Sequence, residues 1–211
     1  MTAALLSADE VSFLSRHGYS EEDIYDGRYQ SKERRAAAAK EAGKHLVLAG
    51  VIGRGDCRTL GHRLRTRAGH CIQCKPINIA FQRREDEPGY VYIAGSLTGR
   101  VIKIGTTGNL SQRENQMRAE GYGGSKDWIV LFSLHVDRGG EFERATSSRV
   151  RGKRVYRTYI KDGIEQGAVE LHQCSFSEAL RAMIEHLSEG ERKRLTVFRS
   201  SNAGQYEFQY E

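Results

Sequence analysis

Residues 89–107, "GYVYIAGSLTGRVIKIGTT", decide how the chain is read. Two runs rich in β-branched and aromatic residues, 90–95 and 101–105, flank a turn of Ser, Thr and Gly, so the stretch predicts a two-stranded hairpin. Tyr90, Tyr92 and Lys103 fall at strand positions that would normally pack a core. A buried amine is costly without a partner, which marks this hairpin as more than scaffold.

The pattern of strands and helices continues downstream. Asn109 is placed to cap a helix reaching about residue 119, on which Leu110, Arg113 and Met117 share one face. Arg113 thus stands where an apolar residue is expected, and a phosphate is the anion that a planar guanidinium would hold there. "WIVLFSLHV" predicts a strand with Trp128, Val130, Phe132 and Leu134 on one face. A helix beginning near Gly140 follows, carrying Glu141, Phe142, Glu143, Ala145 and Arg149. Two strands, "VYRTYI" and "AVELHQC", come next, and Ser175 with Glu178 makes a capping signal ahead of "ALRAMIEHL".

Upstream, residues 1–50 read as short helices. Ser7 and Glu10 have capping-box spacing, Ser20 precedes "EEDIYDG", and "SKERRAAAAKEAGK" combines strong helix formers with a terminal Gly43. Residues 83–88, within the charged "QRREDEP", read as a linker, and 196–211 as a tail or late strand. Between them, residues 51–82 carry three of the four cysteines in the order Cys57, His62, His70, Cys71, Cys74. Thiolates and imidazole at this density suit a structural, tetrahedral zinc, with Cys57, His62, Cys71 and Cys74 as ligands and His70 competing with His62 for one place. A segment with so few apolar residues needs such a staple to fold. Cys174, far away on a strand, reads as a core residue.

The same segment is rich in arginine. Arg54, Arg58, Arg63, Arg65, Arg67 and Lys75 lie close together, and the whole chain of 211 residues carries a formal +6. Such a cluster attracts a phosphate backbone through counterion release, so Arg63, Arg65 and Arg67 are candidate DNA contacts. No apolar run approaches the ~18–20 residues that span a bilayer. The first residues lack a basic leader, which predicts no secretory signal and a cytoplasmic location.

Tyr92 in "GYVYIAG", then "KIGTT", then Arg113 and Glu143, in that order, resemble the GIY-YIG nuclease superfamily, in particular a divergent bacterial and phage branch with lysine at the second motif tyrosine. The resemblance covers residues 89–187. It implies an α+β fold with a small, mostly antiparallel central sheet flanked by helices over 89–195, and a phosphodiester hydrolase activity. By resemblance Tyr92 would activate water, with Tyr90 in support, and Lys103 would lower the tyrosine's pKa or touch the scissile phosphate. Arg113 would stabilise the transition state, and Glu143, or Glu141, would hold a single Mg²⁺. The literal tripeptides are replaced by "YVY" and "KIG", and the family's downstream asparagine has no counterpart.

Together these readings predict a Mg²⁺-dependent DNA endonuclease whose zinc module assists DNA binding. The alternative is a catalytically inactive nucleic-acid-binding protein of the same fold. An interaction module whose basic cluster recognises an acidic protein ranks third.

Overall fold

A computed structural model of the chain describes residues 5–50, 57, 61–185, 187, 189, 192 and 197–210. The chain divides into two units, Met1–Arg84 and Glu85–Glu211. It is α+β, and no helix among the described residues is long and apolar enough to cross a membrane.

The first unit opens with α1, Ala8–Arg16, where Ser7 and Glu10 close the expected capping box. Strand β1, Ile24–Asp26, leads to α2, Lys32–Glu41, capped by Ser31. Strands β2, Leu46–Leu48, and β3, Leu64–Thr66, complete a three-stranded sheet in the order β1-β2-β3, with β1 parallel and β3 antiparallel to β2. Residues 1–50 are therefore not helical throughout: strands of three residues are shorter than the window in which alternation can be recognised. Leu14, Ile24, Leu46, Leu48, Leu64 and Ile72 fill the core of this unit. Helix α3, Ile77–Asp86, runs through most of the stretch read as a linker, since "QRRED" lacks any breaker before Pro88.

In the second unit the hairpin is longer than the sequence suggested, β4 covering Gly89–Ser96 and β5 Val101–Thr107. Helix α4, Leu110–Glu120, begins at Asn109, whose side-chain oxygen accepts a bond of 3.0 Å from the Gln112 amide. Then come β6, Ile129–Val136, α5, Gly139–Arg149, β7, Lys153–Lys161, β8, Ile164–Gln173, and α6, Phe176–Ile184. Strand β9, Val197–Arg199, pairs with β6. The sheet has the order β7-β8-β5-β4-β6-β9, every described pairing antiparallel. Asp162 and Gly163, both with positive φ (51° and 76°), form the two-residue turn of β7 and β8, the geometry that matches strand twist.

The two faces of this sheet are filled differently. Val91, Ile93, Ile102 and Ile104 pack with Phe142 of α5 and with Phe176, Ala179 and Met183 of α6. The alternate residues, Tyr92, Ala94 and Val101, pack with Met117 of α4, Tyr122, Trp128 and Leu171. Strand β6 changes sides along its length. Ala94 pairs with Val130 but Ile93 pairs with Phe132, so Leu131 is one residue too many. This bulge reverses the alternation: Trp128 and Val130 face α4, whereas Phe132 and Leu134 face α5 and α6. The four residues expected on one face are split because a bulge leaves no mark in a hydrophobic period.

Candidate phosphate-binding cluster and metal centre

The hydroxyl and amine that stand out in the hairpin meet under α4. Tyr92 pairs with Gly105 across the hairpin and Lys103 with Ala94, which puts both side chains on the same face. Tyr92 is 1% exposed. A Cβ on Gly105 would lie 2.6 Å from the Tyr92 hydroxyl, so only glycine lets the ring cross β5 here. The hydroxyl accepts a bond of 3.2 Å from Arg113 Nε and donates to the Met117 sulfur. Lys103 is fully buried, with its Nζ paired to the Glu170 carboxylate and 5.1 Å from the centre of the Tyr122 ring. The Arg113 guanidinium lies 5.6 Å from that same ring and donates to Gln116, which in turn reaches Glu120, itself paired with Lys161 at 2.8 Å.

Two cations thus flank one phenol. Burial works against the Lys103 charge, but Tyr92 and Glu170 outweigh it and hold the amine's pKa above its ordinary value. Arg113 is shifted the same way: burial opposes its charge and Tyr92 restores it. Burial pushes the Tyr122 phenol up.

Glu170 and Tyr122 belong to the cluster although neither stands out in the sequence as a site residue. Glu170 arrives through a second bulge: Val155 pairs with Leu171 and Arg157 with Ala168, so Val169 and Glu170 together oppose Tyr156. Tyr122 is placed by Gly121 and Gly123, both at positive φ, and its carbonyl accepts a bond from the Trp128 indole. The sign that could have found Glu170 is the one that drew notice to the hairpin, a carboxylate interrupting the apolar strand "AVELHQC".

The remaining expected site residues stand elsewhere. Tyr90 is on the same face but two positions nearer the strand start, edge-on to His135 at 5.0 Å. Glu143 is half-buried on α5, whose Phe142 packs on the opposite face of the sheet, and Glu141 pairs with Arg138. That face holds another polar pair, Ser147 Oγ and His172 Nε2, 3.0 Å apart. His172 is fully buried, and burial together with the Arg154 charge takes its pKa down to about 4.

In the first unit, Cys57, His62, Cys71 and Cys74 converge, all four ligand atoms lying within 4.8 Å of one another. The Cys57 and Cys74 sulfurs are 3.3 Å apart, and His62 Nδ1 is 3.2 Å from Cys74 and 3.8 Å from Cys71. Four ligands about 2.3 Å from a common centre would be ~3.7 Å apart, so the set fits tetrahedral zinc. β3 and the Cys71 segment form a short hairpin turning at Gly69, and the Cys74 amide points at the Cys71 sulfur, 3.3 Å away. His62 is the histidine of the set. His70 is exposed and its ring is not among the clustered ligand atoms, while its backbone amide donates to Thr66 Oγ1 and its carbonyl accepts from the Thr66 amide. Cys174 lies in the second unit's core, where burial pushes its thiol up to about 12.

The three candidate DNA-contacting arginines bind within the unit. Arg63 pairs with Glu10, Arg65 is buried and donates to the Leu64 and His62 carbonyls, and Arg67 donates to the Lys44 carbonyl. Arg54 and Arg58 lie outside the described residues.

One family model, the T5orf172 domain, matches residues 89–187, a span that contains the whole Tyr92, Lys103, Arg113 and Glu170 cluster. This corrects the GIY-YIG expectation: the family model found over these residues is a different one, and the ordered set of Tyr92, "KIGTT", Arg113 and Glu143 was too sparse a signature to tell them apart. The T5orf172 domain is associated with nuclease and DNA-binding functions, which is consistent with a nucleic-acid-related role. Neither the curated proteins nor the solved structures yield a match.

Proposed function

We propose that the second unit is a nuclease that takes a DNA phosphate at the Tyr92, Lys103 and Arg113 cluster. The observation that carries this reading is a phenol held between two cations, within the span matched by the T5orf172 domain. Arg113 is the member that meets the phosphate, because it is half-buried where Lys103 is fully covered, and a guanidinium has donors beyond those given to Tyr92 and Gln116. Tyr92 is the group beside it that can exchange a proton. Lys103, fully covered, acts through its field on both.

The donors at this cluster do not fit a divalent ion. Glu170 is engaged by Lys103 and Glu120 by Lys161, while Glu143 and Glu141 stand on α5 across the sheet. The cluster's chemistry is therefore that of its phenol and two cations. A zinc ion bound by Cys57, His62, Cys71 and Cys74 would hold the first unit's hairpin in place.

The test is incubation of purified protein with supercoiled plasmid, with Mg²⁺ or with EDTA, beside Arg113→Ala and Glu143→Ala. Nicking or linearisation by the intact protein, reduced by a hundredfold or more in Arg113→Ala while folding is kept, is the expected result. Mg²⁺-dependent cleavage that is lost in Glu143→Ala would place the ion on α5. Salt-sensitive DNA binding without cleavage under either condition would support a second reading, a binding protein without chemistry, which the burial of Tyr92 favours.

A further inference from the structure

Residues 149–161, "RVRGKRVYRTYIK", contain six Arg or Lys residues and no acid. Most of this stretch is β7, an edge strand of the sheet. Charge on an edge strand commonly serves only to prevent strand pairing with other chains. Two features go beyond that use. First, Arg149, Arg151, Lys153 and Arg154 are exposed, and none takes part in an ion pair among the described residues. Second, Tyr156, on the same side of the strand as Arg154, is 68% exposed, with Ile160 further along that side.

Tyr156 is also held in place. A Cβ on Gly167 of β8 would lie 2.7 Å from its hydroxyl and 3.0 Å from its ring, so the ring rests on the Gly167 backbone while much of it stays open to solvent. An aromatic ring fixed on one side and open on the other is a stacking platform. Arg154 is two residues away, about 6.6 Å along the strand, comparable to the spacing of successive phosphates in an extended single strand.

We infer that the exposed edge strand β7 binds single-stranded nucleic acid, with Tyr156 stacking on an unpaired base, Arg154 on the same side neutralising the adjoining phosphate, and Arg151 and Lys153, at the start of that edge, meeting the phosphates beyond it. A duplex offers phosphates but keeps its bases stacked on each other, so it would use the cations and leave Tyr156 idle. The inference rests on the nucleic-acid role proposed above but not on cleavage, and its test is run without added Mg²⁺.

The probes are a fluorescein-labelled oligothymidine of about twenty nucleotides and a duplex of equal length, titrated against the intact chain at several salt concentrations. Tyr156→Leu should weaken single-strand binding about tenfold or more and leave duplex binding within about twofold, while Tyr156→Phe keeps both. The triple variant Arg151→Gln, Lys153→Gln, Arg154→Gln should lower the salt slope for the single strand by about 2, at ~0.7 per phosphate. Trp128, the only tryptophan and fully buried in this unit, reports that each variant is folded. An unchanged salt slope in the triple variant, or equal losses on both probes for Tyr156→Leu, would overturn the inference. Intact protein that binds neither probe would overturn it together with the nucleic-acid role, whereas binding without cleavage in the plasmid assay counts against the nuclease reading alone.

Discussion

His172 shows how much one buried side chain can tie stability to pH. It is neutral in the folded chain because burial and the nearby Arg154 take its pKa down to about 4, from about 6.5 when unfolded. Below pH 6.5 the unfolded chain therefore binds a proton that the folded chain refuses. Stability from this group is complete above about pH 6.5 and is lost as pH falls towards 4, by about 3 kcal/mol at most. Replacing His172 with Gln should remove this slope. Urea unfolding followed by Trp128 fluorescence at pH 7, 5.5 and 4.5 should show the gap between wild type and variant changing with pH, and a constant gap would refute the assignment. Ser147 Oγ, 3.0 Å from Nε2, supplies the hydrogen bond that the neutral ring can make, and Nδ1 has no partner among the described residues.

At the scale of elements, the short hairpin around Gly69 makes a distinction that spacing alone left open. It carries His70 at an exposed position outside the cluster and leaves His62 beside the three sulfurs. The chain should bind one zinc. His62→Ala should weaken that binding by tenfold or more, whereas His70→Ala should leave it within about threefold, as read by competition with a chromophoric chelator. Equal losses in both variants would mean that this ligand set is wrong. Other elements were legible because their signals are local: the capping residues Ser7, Asn109 and Ser175 each stand where a helix begins. The meeting of Tyr92, Lys103 and Arg113 was implied by the resemblance alone, since alternation puts a side chain on a face but the hairpin register decides which residues meet there. Glu170 was not legible, since it reaches Lys103 through a bulge, and bulges are set by pairing between strands rather than by either strand's own period. Glu143 shows the converse. Its place in the order of motifs was plain, but which side of a sheet a helix covers depends on packing that residue order does not encode.

Across the whole second unit, the tight turn at Asp162 and Gly163 has a kinetic consequence. It joins β7 to β8 with only two residues between paired positions, whereas β9 must bring Val197 to Leu134 across most of the unit. Closing a short loop sacrifices little chain freedom, so the β7 and β8 hairpin should form before the folding barrier is crossed and the carboxy-terminal segment should dock after it. Gly163→Ala, which strains a residue at φ 76°, should mainly slow folding. Tyr206→Leu, in the buried part of that late segment, should mainly speed unfolding. Stopped-flow measurements on Trp128 that found the opposite partition would reverse the order. If it holds, the stretch richest in positive charge takes shape while the rest of the sheet is still being assembled.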